Sequence, residues 1–230
     1  YGFCARRSTY CFTDPKLGNC CNSTRFHSYQ KLYANSCLNI FNSPLHLKIH
    51  HEIYGKALEP TLILPPPIQV DKIRVKDKKA GTIAFVGRLN KMKGANEFFQ
   101  YVVSQPDSTF FVCGDNHLRK NIPDNVHLMG DLPHEEVLKV LGWCQKFFFK
   151  PFWTEPSGRA AMEAFLSGCQ MVINNRVGIT SFDFYPHDLH KAGKAASEAP
   201  TFFWNNINKV LQNQLSNSPK IYRKVLIKKS

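Results

Sequence analysis

The apolar residues of this chain of 230 fall into short dense runs separated by amphipathic stretches. From residue 81 onward the alternation is regular. Residues 82–87 (TIAFVG), 108–114 (STFFVCG), 126–130 (VHLMG), 146–150 (KFFFK) and 170–174 (QMVIN) are compact apolar runs. Runs this short, apolar on both sides, predict strands of a parallel sheet covered on both faces. Between them, 95–104 (ANEFFQYVVS) and 134–143 (HEEVLKVLGW) carry helical spacing. Pro156 and Ser157 predict the start of a further helix and Gly168 its stop. Strand and helix alternating over roughly 25–30 residues predict an α/β doubly wound parallel sheet.

The chain before residue 81 reads differently. Residues 27–35 suit a short helix, 37–41 (CLNIF) and 61–64 suit strands, and Asn42, Ser43 and Pro44 suit the cap and first turn of a helix through Tyr54. Three prolines at 65–67 and the basic run after them read as a linker. The expected organisation is a smaller, incomplete lobe over 1–64, a linker over 65–80, the sheet domain over 81–216 and a basic tail over 217–230. Trp204 to Gln214 is expected to be helical, while 179–200 shows no periodicity and is expected to be irregular.

Composition adds two limits. A hydrophobic share of 43% supports a packed core. No apolar run approaches the ~18–20 residues of a membrane span. The net charge of +13 is uneven: residues 1–80 carry 12 Lys/Arg against 5 Asp/Glu, 81–200 carry 12 against 12, and 201–230 carry 6 against none. Basic ends suit an anionic partner or simply a well-solvated surface. Cys4, Cys11, Cys20 and Cys21 lack the spacing of zinc pairs and are expected to be reduced thiols without metal. His46 and His50 stand four apart on a predicted helix with no third ligand offered, and an exposed helix face is expected there.

Two stretches carry candidate chemistry. Glu155 and Glu163 bracket PSGRAAM at the start of an otherwise apolar helix. Burying a lone carboxylate is costly, so Glu163 calls for hydrogen-bond donors, from a ligand hydroxyl or from an arginine. Glu155 suits either a ligand contact or a surface position favoured by the helix dipole. The amides of Ser157, Gly158 and Arg159 would form an anion site between the two carboxylates. The second stretch, Gly87 to Gly94, places Arg88 and Lys93 between two glycines directly after a predicted strand, where the backbone can approach a phosphate and the cations can bond to it.

Taken together, FVGRLNKMKG, FFVCGDN, VHLMGDLPHEEV, PFWTEPSGRAAMEAFLSG and the loop at Val177-Gly178 resemble the donor-binding lobe of glycosyltransferase family 4, of the GT-B fold, over about residues 60–180. The resemblance implies a Rossmann-like nucleotide-sugar-binding domain over 81–216. It implies transfer of a sugar from a nucleotide-diphosphate sugar to a glycan or lipid-linked acceptor, with retention and with neither a metal nor a cofactor. Glu155 would contact the sugar and Glu163 the ribose hydroxyls. Arg88 and Lys93, beside Gly87, would hold the diphosphate. Main chain at Met129, Gly130, Asp131 and Leu132 would meet the base. A cytoplasmic, membrane-associated enzyme is implied, with peripheral membrane contact and no nucleic acid partner. The family's opening strands, glycine loop and histidine would lie before Tyr1, so these residues alone are expected to bind donor well and transfer poorly. Ser157, Arg159 and the absence of a second glycine after Gly178 depart from the family pattern and leave sugar specificity open. A sugar-nucleotide epimerase of the same fold, or a non-catalytic nucleotide-sugar or nucleic-acid binder, are the competing readings.

Overall fold

The computed structural model describes residues 3–4, 9–10, 23–115 and 122–217. The side chains of the four N-terminal cysteines and the basic tail therefore lie outside the described residues. Strands β1 (Phe3–Cys4) and β2 (Thr9–Tyr10) pair antiparallel, and α1 (Ser23–Ala34) follows. Strands β3 (Asn39–Phe41) and β4 (Thr61–Ile63) form a second, parallel pair joined through α2 (Pro44–Tyr54). Ser43 caps α2 by accepting the His46 amide, with Pro44 in the first turn, as the local sequence requires.

The main domain is a five-stranded sheet in the order β7-β6-β5-β8-β9, every pair parallel. Its strands are β5 (Lys79–Val86), β6 (Thr109–Cys113), β7 (Val126–Gly130), β8 (Cys144–Phe149) and β9 (Gln170–Ile173). Helices α3 (Ala95–Val103), α4 (His134–Trp143), α5 (Arg159–Leu166) and α6 (Leu189–Asn217) complete it. An aromatic cluster welds α3 to the sheet. Phe98 is fully buried and meets Phe85, Phe110 and Phe148 edge-on at 5.3, 5.6 and 5.7 Å between ring centres. Such pairs add to the burial of their area. The strand order reverses between β5 and β8, and loops leaving the carboxyl ends of these two strands enclose the place where open α/β sheets bind ligands.

Two expectations are corrected here. The stretch 189–200 is helical, because α6 begins at Leu189 and runs through Pro200. Its buried stripe is made of alanines 192, 196 and 199, too small to register as an apolar face in the sequence. Pro200 cannot donate to the Ala196 carbonyl. The Ile68 amide donates to that carbonyl instead, at 3.4 Å, so the segment after the three prolines takes over the bond that the proline deletes. No helix among the described residues is long and apolar enough to cross a membrane.

The second correction concerns His46 and His50. They do not form an exposed face. Their rings meet at 4.6 Å and both pack at 5.3 Å from Phe41. Burial, then the neighbouring His50, lowers His46 to about 4 from its ordinary 6.5. A depressed folded-state value means that the unfolded chain binds the proton more readily. The stability from neutral His46 is therefore full above about 6.5 and is lost as pH falls toward about 4. Thermal melts from pH 7 to 4.5 should show this loss, and His46→Leu should flatten it; an unchanged slope in the variant would refute the assignment.

Cys113, Cys144 and Cys169 are buried free thiols and Cys37 is exposed. Burial pushes the Cys113 thiol up to about 11 and Cys144 to about 12. Thiolate is the reactive form. Peptide-resolved alkylation at neutral pH should label Cys37 within minutes and leave these buried cysteines unlabelled until denaturant is added.

Candidate functional site

The loop after β5 is shaped by glycines. Gly87 and Gly114 both have φ of 129° and close β5 and β6 at the same level. A β-carbon on Gly114 would stand 2.5 Å from the Gly87 carbonyl oxygen, so only glycine fits. The Gly114 amide donates to Gly130 at the end of β7 at 2.7 Å, which ties the segment 129–132 to the same edge. Gly130 is itself left-handed, with φ of 69°, and turns the chain toward Leu132 and α4.

Asn90 then caps a short turn over Lys91–Lys93 by accepting the Lys93 amide at 3.0 Å. Gly94 ends that turn in the left-handed region. The loop after β8 is laid directly against it: the Phe152 amide donates to the Met92 carbonyl at 3.0 Å. Between the two loops lies a cavity of about 300 Å³ lined by Arg88, Asn90, Met92, Lys93 and Trp153.

Glu155 is fixed by its backbone. Its amide donates to Arg176 and its carbonyl accepts from Gly178, both at 2.8 Å. Its side chain forms an ion pair with Lys93, whose ammonium lies 4.9 Å from the centre of the Trp153 ring. Thus Lys93 and Glu155, far apart in sequence, meet at the cavity. Arg88, which also lines the cavity, lies 3.7 Å from Asp115. Both cations therefore rest against carboxylates.

The helix after Glu155 starts later than the sequence suggests. Gly158, left-handed at φ 71°, is the N-cap, and α5 begins at Arg159. Gly158 rather than Pro156 sets the start, because the left-handed turn cannot continue a right-handed helix. The Gly158 carbonyl accepts the first helical bond, from Met162 at 3.0 Å. The amides of Gly158, Arg159, Ala160 and Ala161 are then the four without an intrahelical partner. Glu163 is 3% exposed. Of the donors that the sequence offered, an arginine is present, with Arg159 Nε 3.0 Å from Glu163 Oε1; His134 Nε2, which the sequence did not offer, reaches the same oxygen at 2.9 Å.

The second unit of the chain touches this site. Ser43 Oγ donates to the Pro156 carbonyl, and the Leu45 amide donates to Ser181 Oγ at 3.0 Å. A β-carbon on Gly178 would meet the Pro156 oxygen at 2.1 Å, so the contact is close because residue 178 has no side chain. Sequence reasoning missed Asn90, Met92, Trp153, Asp115 and His134. The pattern N-x-x-K-G is a cap signal that marks Asn90, and Trp153 stands two residues before Glu155. Nothing local marks His134, which joins the site only through the packing of α4 on α5.

A parallel sheet of this order, with cations, carboxylates and open helix amides at its switch point, defines a nucleotide-binding α/β domain. The chain belongs to the glycosyl transferases group 1, whose family model matches residues 69–183. No curated protein matches the sequence. Among solved structures, HepE of Anabaena in complex with UDP and glucose is similar at 16% identity and a TM-score of 0.59, over 86% of this chain and 68% of that one. AviGT4, a glycosyltransferase involved in avilamycin A biosynthesis, is similar at 14% identity and 0.56, over 80% and 67%. A TarM mutant of S. aureus in complex with fondaparinux, alpha-GlcNAc-glycerol and UDP is similar at 15% and 0.57, over 87% and 49%. These likenesses show a shared GT-B fold.

Proposed function

We propose that this chain binds a nucleotide-diphosphate sugar at the carboxyl ends of β5 and β8 and serves its transfer, with retention, to a glycan or lipid-linked acceptor. The observation that carries the reading is that Arg88 and Lys93 line one cavity of about 300 Å³ and that Lys93 is ion-paired with Glu155. That volume is at the lower end of small-molecule sites and suits the diphosphate and adjoining sugar, not a whole nucleotide. Structures of similar fold that hold UDP or UDP-glucose support the choice of ligand.

In this proposal Arg88, Lys93 and the amides from Ser157 to Ala161 meet the negative charge that develops on the departing diphosphate. Glu155 accepts from sugar hydroxyls and Glu163 from the ribose. Main chain at Met129 to Leu132 meets the base. The domain scheme of 1–64, 65–80, 81–216 and 217–230 is retained as part of the proposal, with β3 and α2 forming a wall beside the Glu155 loop.

Glu163→Ala is expected to weaken nucleotide binding by roughly 10- to 100-fold, from loss of bonds to a charged acceptor. Arg88→Ala should weaken the diphosphate and leave the nucleoside unchanged. Calorimetry with UDP, GDP and ADP and their nucleosides tests both. A folded Glu163→Ala chain with unaltered affinity would remove the ribose assignment, and equal losses for both ligands in Arg88→Ala would remove the phosphate assignment. The anomer of the first product, read by NMR, tests retention.

A further inference from the structure

The hydrogen bonding of Glu163 is lopsided. Both of its partners, His134 and Arg159, reach Oε1. Among the described residues no donor reaches Oε2. A carboxylate accepts at both oxygens, and a carboxylate as buried as this one is stabilised only by filling those positions. The two partners also differ in kind. Arg159 lies on the same helix, four residues before Glu163, and its side chain is 60% exposed. A pair within one helix, with its cation largely in solvent, ties no second element. His134 comes from another element: it opens α4, two residues beyond Leu132.

We propose that His134 is a positioning residue for the nucleotide's ribose. Its Nε2–H, with Arg159, pins Oε1 of Glu163 and turns Oε2 toward the vicinal hydroxyls. The inference rests on the ribose role given to Glu163 above. The bond also joins two parts of the same ligand site. Residues 129–132, the base segment, run straight into His134, while Glu163 belongs to α5. One hydrogen bond therefore sets the distance between the group that reads the base and the group that reads the sugar ring. The donor role needs the proton on Nε2, in either the neutral tautomer or the imidazolium. Arg159 alone leaves that distance free.

The experiment uses the full chain. The nucleoside diphosphate that stabilises it most in a thermal-shift panel of UDP, GDP and ADP is titrated by calorimetry, beside its 2′,3′-dideoxy counterpart. The variants are His134→Ala, His134→Asn, His134→Gln and Glu163→Ala. His134 is half-exposed, so the amide variants should fold, and melts confirm this. His134→Ala and His134→Asn, which is too short to reach, should lose about tenfold for the ribose ligand. They should stay within about twofold of the parent for the dideoxy ligand. His134→Gln, which carries an N–H at similar reach, should recover most of the loss. Equal losses for both ligands would show a merely structural role and overturn the inference. So would unchanged binding in His134→Ala while Glu163→Ala loses ribose selectivity. If Glu163→Ala shows no ribose selectivity, or no nucleotide in the panel binds, the ribose reading itself has failed and this inference goes with it.

Discussion

Lys93→Ala is expected to lower sugar transfer by about 100- to 1,000-fold, the usual effect of removing one preorganised donor from a developing charge. Lys93 is the more exposed partner of the ion pair, with 27% of its side chain accessible against 18% for Glu155. Its loss leaves Glu155 with part of its surface in water, so the melting temperature should fall only slightly. Glu155→Gln provides the complementary result. In the unliganded chain the Glu155 carboxylate occupies the Lys93 ammonium. An incoming diphosphate must compete with that carboxylate, as it must with Asp115 for Arg88. Neutralising Glu155 while keeping its shape should therefore tighten binding of the free nucleoside diphosphate several-fold. The same change should reduce transfer, because the amide no longer accepts from the sugar hydroxyls at both positions. Calorimetry and a turnover assay on the same preparations separate the two effects. Weaker diphosphate binding in Glu155→Gln would mean that the pair acts as a unit on the ligand and that the competition described here is wrong.

Gly94→Ala should damage both stability and donor binding. Gly94 has φ of 86°, and a β-carbon there would stand 2.1 Å from the Lys150 carbonyl oxygen. The unfavourable backbone region costs about 1–3 kcal/mol, and forcing the two loops apart adds a further ~1–3 kcal/mol. Gly168→Ala is the reference for the first effect, since Gly168 has φ of 77° and only ordinary contacts, at 3.8 Å, around its would-be β-carbon. Denaturant unfolding should give Gly94→Ala the larger loss by a margin equal to the steric part. Nucleotide affinity should fall in Gly94→Ala alone, because the displaced loop carries Arg88 and Lys93. Equal destabilisation of the two variants would show that the approach of the loops relaxes freely.

Periodicity in the sequence was enough for the five strands of the main domain and for α3 and α4. Strand β7 and helices α2 and α4 begin and end where their apolar runs and caps place them. Those signals are local: a buried parallel strand must be apolar on both sides, and a helix must satisfy its first amides. Arg88, Lys93, Glu155 and Glu163 stood out as candidates through their placement directly after predicted strands, since the spacing of each motif alone also suits a basic turn or a helix start at the surface. Local signals failed where a distant segment supplied the missing bond or surface. Helix α6 crosses Pro200 because Ile68 satisfies the orphaned carbonyl, and its alanine stripe finds a close-fitting neighbour. His46 and His50 are half-buried because Phe41 and the aromatic residues of α1 and α2 close over them. The pairing of Lys93 with Glu155, the convergence of Arg159 and His134 on one oxygen of Glu163, and the seating of Ser43 on Pro156 join residues from separate loops and helices. Each depends on the β5–β8 adjacency, or on helices packed over it, and adjacency of strands far apart in sequence is decided by the tertiary fold.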